Sequence, residues 1–242
     1  MAGTGSTDPD GDALTYLWSF GDSGSGSGLS VSHTYAQDGV YTVRLIVRDV
    51  RNLADTITTT ATISNVAPSI ATISGAMLLP GETYTANGSF TDPGADPWTA
   101  TVDYGDGSGT VPIALTGTTF VLSHAYASAG TFTVTVKVSD DDVTSTRTTS
   151  VRVITQAEGT TNAIALVNGL VEGGKLSRGN ANSLLSKLEG AKTALASSNT
   201  HSATGKLGAL LNELEAMARS GRLSDTDAQP LRTLVERLVG SL

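Results

Sequence analysis

Three carboxylates fall within five residues near the start of the chain, at Asp8, Asp10 and Asp12, in the run DPDGD. Gly11 lets this stretch bend sharply, so the alternating side chains can aim at one centre. Calcium takes about six to eight oxygens from flexible loops of this kind. The same residues also suit an Asx-turn, in which Asp oxygens cap backbone N–H groups at a strand start. Both readings stay open at this level. The loop lacks the twelve-residue layout and closing Glu of an EF-hand. A second run, DPGAD at 92–96, offers Asp92 and Asp96, with Asp103 and Asp106 downstream, and Gly94 stands where the first run has Asp10. A third acidic run, Asp140-Asp141-Asp142, follows a strand pattern. It reads as a solvated turn, because adjacent acids repel unless water or a cation shares them.

The other reactive residue types point away from catalysis. His33 and His124 sit in the repeated pattern Ser-His-x-Tyr, ahead of Tyr35 and Tyr126. Recurrence without a cluster of partners favours hydrogen-bonded pins over an acid–base or metal site. Ser32 and His33 are neighbours on a strand pattern, as are Ser123 and His124, so each pair points to opposite faces and cannot form a nucleophile–base couple locally. There is no Gly-rich phosphate loop ending in Lys, no His-Glu-x-x-His and no cysteine. Trp18 falls on an inward strand parity, and Trp98 aligns with Leu14, so neither reads as a sugar platform, which needs a row of exposed aromatics. Asn87-Gly88-Ser89 matches a glycosylation sequon, but a strand-end role is the simpler account.

These residues must be positioned by repeated strands. Residues 18–22 read WSFGD and 102–106 read VDYGD; 32–49 read SHTYAQDGVYTVRLIVRD and 123–140 read SHAYASAGTFTVTVKVSD. Gly105 follows Gly21 by 84 residues, and His124 follows His33 by 91, so the second copy carries seven extra residues between its Gly-Asp turn and its His. Tyr41, Val43, Leu45 and Val47 alternate with polar residues, as do Phe132, Val134, Val136 and Val138. That period of two, cut by Asp-Gly and Pro-Gly turns, predicts half-buried strands of β-sandwiches. Residues 66–85 have no counterpart in copy one, so copy one is expected to lack its first strand or two and to be the less stable copy. The chain is then expected to be a piece of a longer protein.

From about residue 156 the pattern changes to Ala, Leu, Lys and Glu at helical spacing. Leu184, Leu185 and Leu188 share a face, as do Leu207, Leu210, Leu211 and Leu214. Ser224 with Asp227 makes an N-cap pair. Leu223, Ala228 and Leu231 each follow Leu176, Ala181 and Leu184 by 47 residues. The spacing predicts two helical hairpins, four helices that fold by burying their Leu faces together, with His201 in a polar linker between the hairpins. The chain thus divides into two all-β sandwiches, 1–65 and 66–156, and an all-α domain, 157–242.

Composition sets limits. Of 242 residues, 15 are Lys or Arg and 23 are Asp or Glu, for a net charge of −8. That argues against nucleic acid, which needs a basic stripe. No apolar run of about 18 residues exists, so no membrane span is expected. The N-terminus, MAGTGSTDPDGD, does not resemble a signal peptide.

The combination of DPDGD, Trp-x-Phe-Gly-Asp, Ser-His-x-Tyr, Gly-x-Tyr-Thr-Val and a terminal Asp resembles a PKD domain. The resemblance covers most of 2–155 in two copies, and copy two departs from it with DPGAD, Val102 for Trp18 and Tyr104 for Phe20. Residues 160–242 resemble a FIMAH module of secreted bacterial proteins. The resemblance implies Ig-like sandwiches used as extracellular spacers beside other domains of a longer secreted or surface protein. It also implies calcium at the DPDGD loop with Asp22 of the Gly-Asp turn close by, hence a site of Asp8, Asp10, Asp12 and Asp22. The weaker equivalent in copy two is Asp92, Asp96 and Asp106. The alternative is an accessory module of a secreted hydrolase that binds a polysaccharide or protein polymer such as collagen or chitin.

Overall fold

A computed structural model describes residues 1–242. The first repeat forms one antiparallel sheet from β1 (Thr15–Ser19), β2 (Ser25–Ser27), β3 (Gly39–Arg48) and β4 (Ala54–Ile63), in the order β2-β1-β3-β4. Trp18 pairs with Leu45 across β1 and β3, so the alternating apolar residues of both strands share a face. Trp18, Phe20, Val43 and Leu45 are buried there. The Gly-Asp turn after β1 needs its glycine. Gly21 has φ +89°, and a Cβ would press on the Thr42 carbonyl oxygen at 2.9 Å. Gly105 in the second repeat meets the same obstacle at Thr133.

Above this apolar face the first repeat places little. Residues 1–6 add one bridge between Ala2 and Ser30 and hydrogen bonds from Gly3 N to Leu29 O, from Val31 N to Met1 O and from the Met1 amino group to Val31 O. Ile57 pairs with Leu45 and shares its face, yet it is 67% exposed. The edge strand β4 is exposed over its first seven residues.

The second repeat is a complete sandwich. One sheet runs β10 (Leu115–Thr116), β11 (Thr119–Ala125), β7 (Thr83–Thr91), β5 (Ser69–Ile70). The other runs β6 (Ala76–Leu78), β13 (Thr144–Val153), β12 (Gly130–Ser139), β8 (Thr99–Asp103), β9 (Thr110–Pro112). Strands β5, β6 and the start of β7 come from 66–85, the stretch the first repeat lacks. Tyr84, Phe120, Leu122, Val134, Val136 and Val138 are all buried. The extra residues of this copy fall where β9 and β10 lie.

Four helices follow: α1 (Gln156–Glu172), α2 (Arg178–Ala196), α3 (Thr200–Arg219) and α4 (Asp225–Gly240). Their ends are set by local chemistry. Thr155 and Glu158 close a capping box on α1, Ser177 caps α2, and Ser224 accepts from Asp227 N at α4. The turns after α1 and α3 are alike. Gly174 and Gly221 take positive φ, and the next residue's N–H bonds back to Leu170 O or Met217 O. His201, expected in a linker, lies instead in the first turn of α3 and is exposed, because Asn199 already caps that helix.

By its contacts the chain forms two compact units. One holds Met1–Ala71, Phe90–Ala100 and Lys137–Ser145; the other holds Thr72–Ser89, Thr101–Val136 and Thr146–Leu242. Within the second, sheet and helices share a core. Leu79 and Ile154 are buried in the same cluster as Val167, Leu188, Leu210 and Leu238. Arg237 of α4 donates to both carboxylate oxygens of Glu82, at 2.7 and 2.6 Å, and to Met77 O. Hydrogen bonds from Arg237 hold the Glu82 carboxyl below its ordinary range.

Two outcomes follow from this packing. Amide exchange at Val43 and Leu45 should run at least about tenfold faster than at Val134 and Val136, because opening of the uncovered sheet removes less apolar contact. Equal protection would contradict the thin second layer. Leu79→Ala should cost about 2–4 kcal/mol. It should lower the urea midpoints of the helical and the second-repeat β signals together, whereas separate transitions would show that the shared core does not couple them.

Candidate functional site

The acidic loops reach different ends. In the first repeat, Asp8 Oδ1 accepts from the N–H groups of Asp10 and Asp12, at 2.8 and 3.1 Å, which is the Asx-turn expected of this sequence. Asp10 also pairs with Arg51 at 2.9 Å in full solvent. One ligand oxygen each from Asp8, Asp10 and Asp12 lies within 4.8 Å of the others. Asp12 is half-buried and its Oδ2 has no partner. Asp22 is held elsewhere, with Oδ2 2.6 Å from His33 Nε2 and Oδ1 accepting from Gly24 N.

In the second repeat a different trio converges: Asp92, Asp96 and Asp140, again within 4.8 Å. Asp106, placed with this loop on sequence, is tied to His124 at 2.7 Å. Asp103 Oδ1 accepts from Gly105 N in the Gly-Asp turn. Asp140 takes the third place. The reading of 140–142 as a solvated turn therefore needs correction at its first residue, since Asp140 is 8% exposed while Asp141 and Asp142 face solvent. Asp140 Oδ1 accepts from Asp142 N and Val143 N, and its Oδ2 accepts from Asn65 Nδ2 at 3.0 Å. Those bonds hold its carboxyl low, Asn65 contributing most. Asp92 Oδ1 accepts from Gly94 N, and its Oδ2 accepts from Trp98 Nε1 at 3.1 Å. Trp98 is half-buried and edge-on to Phe90, so it serves the loop from inside.

Asp96 is the exception among these carboxylates. It is 7% exposed, and neither oxygen has a hydrogen-bond partner. Burial raises its pKa most; Gln37 faces it and acts the other way without completing a bond, and Asp92, Asp141 and Asp140 add to the rise. Gly94 explains the geometry. A Cβ there would collide with Asp96 Oδ2, so the residue that replaced the Asp10 counterpart is what leaves room for Asp96 to turn inward. A buried carboxylate without donors is costly. It fits a divalent cation: both oxygens of Asp92 and the Oδ2 of Asp140 each accept one bond and keep a lone pair, and Asp96 keeps all of its own. Irregular loops offering carboxylates suit calcium, which tolerates six to eight flexible oxygens, better than magnesium, which demands a near-ideal octahedron.

The two histidines form equivalent packed units. His33 stacks on Phe20 at 4.0 Å and meets Tyr35 edge-on; His124 stacks on Tyr104 at 4.2 Å and meets Tyr126 edge-on. Tyr35 OH donates to Phe20 O, and Tyr126 OH donates to Tyr104 O. Burial lifts the Tyr126 hydroxyl pKa to about 12. These units lock the Gly-Asp turn to the strand after it, as the recurrence of Ser-His-x-Tyr implied.

Hydrogen bonds from Ser108, then His124, hold the Asp106 carboxyl far below its ordinary range. A depressed carboxyl contributes stability that is present above its unfolded pKa, about 3.9, and is lost as pH falls through the lower folded value. Asp106→Asn should therefore flatten the acid limb of the urea midpoint between about pH 4 and 2. An unchanged acid limb would show that the pair does not stabilise this turn.

The PKD domain family matches residues 1–64 and again 65–155, and the FIMAH domain matches 160–240. Collagenase ColQ1 of Bacillus cereus (strain Q1) is 38% identical over 61 residues, covering 25% of this chain and 6% of that protein. A microbial collagenase of Vibrio alginolyticus is 41% identical over 59 residues, covering 24% of this chain and 7% of that protein. The chain thus spans under a tenth of either relative. Among solved structures, the PKD domain of an M14-like peptidase from Thermoplasmatales archaeon SCGC AB-540-F20 is 28% identical, covers 37% of this chain and 98% of that domain, and superposes with a TM-score of 0.31. No helix is long and apolar enough to cross a membrane. The chain belongs to the PKD domain family, as two tandem Ig-like PKD domains followed by a FIMAH domain.

Proposed function

We propose that this chain is a non-catalytic accessory region of a larger secreted protein, a spacer braced by calcium at Asp92, Asp96 and Asp140. The observation that carries this reading is the buried Asp96 carboxylate, which has two unpartnered oxygens and two further acids within ligand distance. The shared core of Leu79 and Ile154 with the helices supports a stiff element. The two relatives named as collagenases, matched over about one PKD domain's length, support a place beside the catalytic part of an extracellular hydrolase. Calcium at Asp8, Asp10 and Asp12 is the weaker site, because Arg51 already neutralises Asp10 and Asp12 is only half-buried.

The reading is tested by calorimetric titration of the whole chain with calcium. One tighter site is expected, weakened at least about tenfold by Asp96→Asn and little affected by Asp10→Asn. Calcium should also raise the thermal midpoint of the wild-type chain. Absence of heat at millimolar calcium would overturn the brace. Those two collagenases also favour a second role, attachment to a protein polymer. Pull-down on insoluble collagen, with Trp98→Ala as control, should show retention if that role exists, and passage of the chain unbound would exclude it.

A further inference from the structure

The first domain leaves an apolar groove open along its sheet. Leu45 and Val47 floor it, Leu14, Leu53 and Ile57 flank it, and its volume is about 720 Å³. A smaller hollow of about 230 Å³ shares Leu45 and Ile57 with it and runs on to Trp18 and Thr59. Ile57 and Leu53 are 67% and 70% exposed. Contiguous apolar surface of this kind marks an interaction site. Beside the groove, β4 ends its sheet, so its outer backbone groups are free to pair with a further strand.

The second domain shows what occupies that place. Strands β4 and β13 are both ten residues long. Each returns from the repeated Asp by a short turn, with Asp49 N bonded to Leu53 O and Asp140 N bonded to Val143 O. Ala61, Thr62 and Ile63 therefore correspond to Val151, Arg152 and Val153. In the second domain those three pair in parallel with β6, Val151 with Ala76 and Val153 with Leu78. Just upstream, Arg147 donates to Thr72 Oγ1, and Gly75 lies so close to Ser150 that a Cβ would strike its carbonyl oxygen. Ile73 and Leu79 of the same stretch are buried. Two differences define what the first domain would accept. Ile57 stands where the second domain has Arg147, so an apolar side chain is needed in place of Thr72. Asp8, Asp49 and Asp55 line the groove near the start of β4, and Arg51 is already paired with Asp10, so a basic residue suits that end.

We infer that the first domain is a strand acceptor: an extended segment of another polypeptide lies in this groove and adds to β4 in parallel at Ala61–Ile63. The segment carries a basic residue first, then aliphatic residues, then a glycine opposite Thr60 ahead of the pairing residues. Backbone hydrogen bonds to the open edge supply the affinity, and the groove selects the alternate side chains.

The probe is a synthetic peptide with the sequence of residues 66–85, carrying Thr72→Val and one Lys added at its start. With saturating peptide, amide exchange of the whole chain should slow at least about tenfold at Val43, Leu45 and Ala61–Ile63 and stay unchanged at Val134 and Val136. Ile57→Asp, at an exposed position, should keep the circular dichroism of the wild-type chain and weaken the peptide at least about tenfold. A peptide that also carries Gly75→Val should not bind, because its side chain would meet the β4 backbone. No slowing at millimolar peptide, equal binding of the valine peptide, or slowing confined to the second domain would each overturn the acceptor. If the same amides slow with protein concentration alone, and sedimentation shows a dimer, the groove belongs to a second copy of this chain and the inference is equally overturned.

Discussion

A sheet with one apolar face must cover that face, and most of this molecule follows from how each repeat meets that demand. The second repeat meets it with a full opposing sheet, so Val134, Val136 and Val138 are wholly buried. Its lower edge is finished by the helices, which take Leu79 and Ile154 into their own core. The first repeat keeps the same strand pattern on β1 and β3 but sets only a bridge and a short segment above it. Trp18 and Phe20 then carry much of the burial, and Ile57 stays open although its parity points inward.

The same residue type meets very different fates on this scaffold. Asp8 satisfies its own loop, Asp10 finds Arg51, and Asp22 and Asp106 are consumed by histidines. Asp96 is buried with neither oxygen paired. Within the acid loop the repeats differ by the exchange of Asp-Gly-Asp for Gly-Ala-Asp, and a glycine at 94 is what admits the Asp96 carboxylate. A lost acid in one position is thus the condition for a buried acid in another.

Much of the architecture was legible because it is local. Strand alternation depends on neighbours two apart, and helix caps such as Ser224 with Asp227 depend on residues three apart. The duplication, the all-β to all-α change near residue 156 and the pinning role of the Ser-His-x-Tyr histidines could all be read the same way. Two acids differ from the sequence expectation for a tertiary reason. Asp22 and Asp106 lie close in sequence to the acid loops but belong to the far side of the Gly-Asp turn. His201 differs: it is helical because Asn199, two residues before it, caps α3.

The sequence by itself determined that one strand scaffold occurs twice, that helices take over near residue 156, and that Ser224 with Asp227 opens the last of them. Those outcomes rest on periodicity and short-range hydrogen bonds, which a linear chain displays directly. Only the tertiary structure decided that Asp140 joins Asp92 and Asp96, that Glu82 meets Arg237, and that the turn at 36–38 touches the acid loop. Each joins residues distant along the chain, and their proximity, burial and charge balance exist only once separate elements have packed.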